Sequence, residues 1–189
     1  MSRVAVIGAG AWGTALSIVL GRKGIHQVHL WAHEQEVQDA IAGSRENKKF
    51  LPGYRIPETV TPTNDLRVTL EGAEIVVSVM PSHHCRGLFE QLVAHIDANT
   101  LLVSATKGLE NDSLMRMSEV ISEVVSTGRG FRPRIGALSG KLQCELGGLR
   151  TRARRLARCG QPQRKGHLFG WIAVAHMCRL RPTDAAGLR

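Results

Sequence analysis

Long apolar runs are missing from this 189-residue chain. The longest, such as 75-IVVSVM-80, fall far short of the roughly 20 residues that span a bilayer, so no transmembrane helix is expected. The opening 1-MSRVAVIGAG-10 runs from a short apolar stretch straight into glycine. It lacks the longer apolar region and cleavage site of a secretory signal, and a cytoplasmic location is the expectation. Cysteine is sparse: one at 85 and three at 144, 159 and 178, with no C-x-x-C pair. That spacing favours neither a zinc site nor a disulfide framework. Acidic residues nearly vanish past residue 140, where 11 Lys and Arg face only Glu145 and Asp184. Residues 1–140 hold 14 basic and 14 acidic residues. The formal charge of +9 therefore belongs to the C-terminal segment, and the body has no basic excess of the kind that nucleic-acid or membrane binding calls for.

What is present is globular. A hydrophobic share of 43% and a charged share of 22% exclude a fully disordered chain, a collagen and a coiled coil. The length predicts one domain plus a remainder. Over residues 1–140, short β-branched runs alternate with helical periodicity. Strands are predicted at 3-RVAVIG-8, 28-VHLWA-32, Val60–Thr61, 74-EIVVSVM-80, 100-TLLVSAT-106 and 134-RIGALSG-140,. Between them, Ala11, Trp12, Ala15, Leu16, Val19 and Leu20 recur at helical spacing, closed by Gly21 and Gly24,. Further helices are predicted from Glu34 to Ala42, near 83–94, and along a stripe of Leu114, Met117, Ile121 and Val124. The turn-rich stretch 45–64 reads as a long loop around one short strand. Strands alternating with helices predict a doubly wound α/β domain, a parallel sheet of about six strands. Its ligand site is expected at the carboxyl ends of the strands.

The most specific local signal is Gly8-Ala9-Gly10-Ala11-Trp12-Gly13, a G-x-G-x-x-G that follows a predicted strand and opens a predicted helix,. In that context Gly8 permits the tight turn, Gly10 lets the backbone approach a pyrophosphate, and Gly13 lets helix and strand pack closely. Free N–H groups and the helix dipole favour the anion. The alternative is a glycine-rich turn with no ligand. The second strand ends in Ala32-His33-Glu34, where an acid would accept from a ribose 2′-hydroxyl and favour NAD. His33 could face a 2′-phosphate and Glu34 would repel one, so NAD and NADP both stay open; His33 could equally be a solvated loop residue. His83, His84 and Cys85 are metal-ligand types, but adjacent side chains diverge and no second cluster completes a site. They read as helix-start residues, and no metal is expected.

GAGAWGTAL at 8–16, LWAH at 30–33, NKKFLPGYRIP at 47–57, VMPSH at 79–83, SATKGLE at 104–110 and ALSG at 137–140 together resemble the bacterial NAD(P)-dependent glycerol-3-phosphate dehydrogenases. Order and spacing match over residues 1–140. The resemblance implies an oxidoreductase that interconverts sn-glycerol 3-phosphate and dihydroxyacetone phosphate and supplies glycerophospholipid synthesis. It places Ala11 and Trp12 at the cofactor pyrophosphate and His33 at the adenosine ribose or its 2′-phosphate. Phe50 falls at an aromatic cofactor contact, Lys107 at a lysine touching cofactor and substrate, and Gly140 at a substrate contact. Ala32 stands where the family often has arginine. Lys107 has independent support as a catalytic candidate: it lies just past a buried strand, where a cation neutralises phosphate or developing alkoxide charge. Gly108 beside it permits an unusual backbone angle. The competing reading is a solvated surface lysine.

Past Gly140 the resemblance stops. The family continues ALSG into Pro-Ser-Phe-Ala and then a helical second domain, which carries a catalytic lysine in a G-x-x-K-N context. Here Gly140 is followed by Lys141-Leu142-Gln143-Cys144, and no G-x-x-K-N occurs in the chain. Lys-Leu encoded AAG-CTT, read one nucleotide later and followed by C, gives Ser-Phe. A reading-frame shift at or just after Gly140 is thus one expectation for the atypical segment 141–189. A basic arm carrying Arg150, Arg152, Arg154, Arg155 and Arg158 is another. Three function classes compete: the cofactor half of a dehydrogenase, inactive alone; a non-catalytic NAD(P)-binding module; and a basic interaction protein. Nucleic-acid binding is not expected.

Overall fold

The structure, a computed structural model, describes residues 2–22 and 24–137. Gly140 and the whole segment 141–189, with the expectations attached to them, lie outside the described residues. In chain order the elements begin β1 (Ser2–Ile7), α1 (Ala11–Arg22), β2 (His26–Trp31), α2 (Gln35–Ser44), β3 (Glu46–Asn47), β4 (Leu51–Arg55) and β5 (Val60–Thr63). They continue α3 (Leu66–Leu70), β6 (Ile75–Ser78), α4 (Cys85–Leu92), β7 (Leu101–Ser104), α5 (Met117–Arg129) and β8 (Arg134–Ala137). Six strands form one sheet in the order β5-β2-β1-β6-β7-β8, and every pairing in it is parallel. The six predicted strands are all present.

The sheet is covered on both faces, as a parallel sheet must be. Side chains alternate along each strand. Ala5 and Ile7 of β1 join Val76 of β6 and Leu102 of β7 in a core with Phe89 and Leu92 of α4 and Val120, Ile121 and Val125 of α5. Val4, Val6, Val28 and Leu30 are buried too, on the alternate face, where α1 packs across β1, β2 and β5. Gly21 sits inside this packing: a Cβ there would lie 2.7 Å from Thr59 Oγ1 and 2.8 Å from Val60 Cγ2. It lets α1 approach the sheet rather than ending the helix. The helix ends one residue later at Arg22.

Two local expectations are corrected and one short helix is added. The stretch 45–64 is not one loop, because β3 and β4 pair antiparallel within it. Their anchors are side-chain hydrogen bonds, which leave no trace in hydrophobic periodicity. Leu114 does not belong to the helical stripe. It precedes α5, takes φ 56° and is 69% exposed. The helix starts only at Met117, where Glu119 Oε2 accepts from Arg116 N–H at 2.8 Å. The short α3 was not anticipated; it is set by Asp65, whose carboxylate accepts from Arg67 N–H and Val68 N–H at 2.7 and 3.1 Å, an N-cap.

Candidate functional site

β1 is flanked by β2 on one side and β6 on the other, so the chain reverses its winding direction between β1 and β6. The glycine turn lies at that switch point, where open α/β sheets bind ligands. Gly8 takes φ +122°, and a Cβ on it would lie 2.1 Å from Val79 O. A Cβ on Gly13 would lie 1.8 Å from Gly8 O. Strand, turn and helix therefore approach too closely for any side chain at either position. Gly10 is different: among the described residues no heavy atom lies within 4 Å of where its Cβ would be. Thr14 N–H donates to Gly10 O at 2.9 Å, closing the first turn of α1. The N–H groups before it have no intrahelical acceptor.

A cleft of about 650 Å³ opens here, within the range of small-molecule sites. Its floor is Gly8, Ala9 and Gly10; one wall is residues 31–34 at the end of β2, with Phe50. The opposite wall is Val79, Met80 and Pro81 after β6, with His83, His84, Leu88 and Gln91. Of the predicted site residues, Gly8, Gly10, His33 and Phe50 thus meet in one cleft. Gly13 underlies it through its contact with Gly8. Ala11 and Trp12 open α1 at its edge, and Trp12 Nε1–H donates to Ala105 O at 3.3 Å. Lys107 follows two residues on, exposed at the carboxyl edge of β7 and outside the cleft lining. Gly108 takes φ +101°, the unusual angle expected of it. Gly140 lies outside the described residues. His83 and His84 stand at the start of α4 in a single turn of tighter helix. Among the described residues no group of His, Cys, Asp and Glu could hold a metal, and no helix is long and apolar enough to cross a membrane.

Sequence reasoning missed Asn47. Its side chain is buried, and Nδ2 donates to Ala9 O and to Thr14 Oγ1, each at 2.8 Å. Its Oδ1 accepts from Phe50 N–H at 3.1 Å. One amide thereby ties the glycine turn to the hairpin that carries Phe50. The only signal was its place at the head of NKKF. A second missed group lies beside the Lys107 loop. Arg86 of α4 donates two hydrogen bonds to Glu110, at 2.8 and 2.9 Å, and one to Glu123 of α5 at 2.9 Å. These bonds, with one from Ser113, hold the Glu110 carboxyl down to about 2. Cys85 is buried, and burial pushes its thiol up to about 11. Burial thus disfavours the reactive thiolate.

Counting only the strands of the large sheet, their order is 3-2-1-4-5-6. With the glycine turn at the switch point, this defines the class: a doubly wound, Rossmann-type fold. Within that class, residues 3–142 match the NAD-dependent glycerol-3-phosphate dehydrogenase N-terminus. The chain is 59% identical over 140 residues to glycerol-3-phosphate dehydrogenase [NAD(P)+] of Koribacter versatilis, covering 74% of this chain and 41% of that one. It is 48% identical over 128 residues to the protein of the same name from Acidobacterium capsulatum, covering 66% and 38%. Among solved structures, glycerol-3-phosphate dehydrogenase from Saccharomyces cerevisiae superposes with a TM-score of 0.64 at 27% identity, over 73% of this chain and 41% of that one. The chain belongs to the glycerol-3-phosphate dehydrogenase family, in its N-terminal domain. It spans about two fifths of the length of these curated relatives.

Proposed function

We propose that residues 1–140 are the NAD(P)-binding domain of a cytoplasmic oxidoreductase interconverting sn-glycerol 3-phosphate and dihydroxyacetone phosphate, a supply step for glycerophospholipid synthesis. The observation that carries the reading is the open space at Gly10, framed by two glycines that admit no side chain. An extended anion fits that floor: the α1 amides and dipole favour a pyrophosphate, and the wall at 31–34 with Phe50 suits the adenosine end. The nicotinamide, when bound, gives or takes the hydride. The chain's own contribution is to bind and orient. Ala11 and Trp12 flank the pyrophosphate, His33 meets the ribose, and Phe50 covers it. Lys107 neutralises charge on the substrate, and Gly140 contributes a backbone contact.

An alcohol that yields a hydride must also lose its hydroxyl proton, and a positioned base contributes about 10²–10⁴-fold. No G-x-x-K-N is present in these 189 residues to supply that base. The 189-residue chain therefore binds NAD(P)H without reducing dihydroxyacetone phosphate above background. Calorimetry with NADH and NADPH, paired with a nicotinamide-absorbance assay, tests both halves. Absence of binding removes the cofactor reading. Turnover at an enzymic rate, lost in Lys107→Ala, shows that the chain holds its own acid–base group. Residues 141–189 form a separate segment in this reading. If they arise from a frame shift after Gly140, the alternative frame of the DNA encodes a G-x-x-K-N.

A further inference from the structure

Beside the cleft wall formed by residues 31–34 and Phe50 lies a charge pair that the proposed function leaves unused. Glu34 follows β2 by three residues and lines the cleft beside His33. Its carboxylate accepts a charge-assisted hydrogen bond from Lys49 Nζ, and that ammonium stands 5.3 Å from the centre of the Phe50 ring. Phe50 lines the same cleft. Both charges sit on backbone that is held in place. Glu34 caps α2, where its carbonyl accepts from Val37 N–H and Gln38 N–H. Lys49 lies between Asn47 and Phe50, which are joined by the Asn47 amide, and Glu46 Oε1 accepts from Gly53 N–H across the hairpin at 2.7 Å. The side chains are 41% and 52% exposed, so the pair adds little to stability. Its consequence lies in where it stands: Glu34 lines the cleft, and Lys49, outside the lining, reaches Glu34 from beside Phe50.

An acid at the end of the second strand accepts from a ribose 2′-hydroxyl, and a cation there accommodates a 2′-phosphate. Here both are present and neutralise each other. Resting on the dinucleotide reading above, we propose that the Glu34–Lys49 pair sets the choice between NADH and NADPH. Glu34 is the hydroxyl acceptor, Lys49 is the 2′-phosphate partner, and their pairing holds the two affinities close together. Removing either partner frees the other, so the two single variants shift preference in opposite directions.

The test is the ratio of Kd for NADH to Kd for NADPH, measured by calorimetry on the full chain. A folding defect weakens both ligands alike and cancels from this ratio. Glu34→Gln is expected to move the ratio about fivefold toward NADPH and Lys49→Gln about fivefold toward NADH, the scale of a solvent-screened charge pair. The double variant returns close to the unsubstituted chain. Both shifts shrink as salt rises from 0.05 to about 0.5 M, where the screening length falls from above 10 Å to a few ångströms. Dinucleotide binding with ratios that stay within twofold in both single variants overturns the inference and leaves the cofactor site standing. Binding of neither dinucleotide to the unsubstituted, folded chain overturns the cofactor reading and this inference with it.

Discussion

Three glycines in one hexapeptide have three separable physical roles. Gly8 and Gly13 are required by the protein itself, since a Cβ at either would overlap a backbone oxygen at about 2 Å. Gly10 is required by none of the described residues, because its Cβ would meet none of their atoms within 4 Å. Gly8→Ala and Gly13→Ala are therefore expected to destabilise the fold by at least about 2 kcal/mol each, through backbone strain and overpacking. Gly10→Val is expected to leave the denaturant midpoint nearly unchanged while weakening NADH binding more than tenfold. Unfolding curves and calorimetry on the three variants separate these outcomes. A Gly10→Val chain that binds NADH normally refutes the assignment of the turn. Asn47 is the second residue-scale case. Asn47→Ala strips hydrogen bonds from Ala9 O, Thr14 Oγ1 and Phe50 N–H. Thr14 Oγ1–H still donates to Ala9 O at 3.2 Å, so the loss is three hydrogen bonds of roughly 1 kcal/mol each rather than an orphaned carbonyl, and a clearly lowered midpoint, with weakened NADH binding, is expected in equilibrium unfolding.

Between elements, the decisive contact is Arg86 with Glu110 and Glu123. It ties α4 to α5 and to the loop that follows Lys107, using groups more than twenty residues apart in sequence. Because the folded carboxyl of Glu110 is held at about 2, against an ordinary value of 4.5, the unfolded chain takes up its proton first on acidification. The stabilisation is complete above about pH 4.5 and is lost as pH falls toward about 2. Thermal midpoints of the unsubstituted chain and Glu110→Gln are expected to differ at pH 7 and to converge near pH 2. A gap that persists at pH 2 shows that packing, not the charge, is what the substitution removes. The central strands were legible from local sequence because they are short buried runs between turn residues, as in 75-IVVS-78. The β3–β4 hairpin was not, because Arg45 and Asn47 hold it by donating to carbonyls of distant residues.

For the molecule as a whole, a ligand that binds only the folded state stabilises it by mass action. NADH at 100 times its Kd is expected to add about 2.7 kcal/mol, a rise of several degrees in the thermal midpoint of a domain this size. Gly10→Val removes that rise without lowering the starting midpoint, and a thermal scan with and without NADH reads both. The sequence by itself determined the alternation of strands and helices and the position of the glycine turn, because burial period and glycine spacing are local properties of a chain. It also placed His33 and Phe50 on the cleft, through motifs whose residues are close together in sequence. Only the tertiary structure decided which groups meet across those motifs. It put Asn47 under the turn, set Glu34 against Lys49, joined Arg86 to Glu110, and left Lys107 on the exposed edge of β7 rather than in the cleft lining. These outcomes follow from the order in which parallel strands assemble, and no spacing along the chain encodes that order directly.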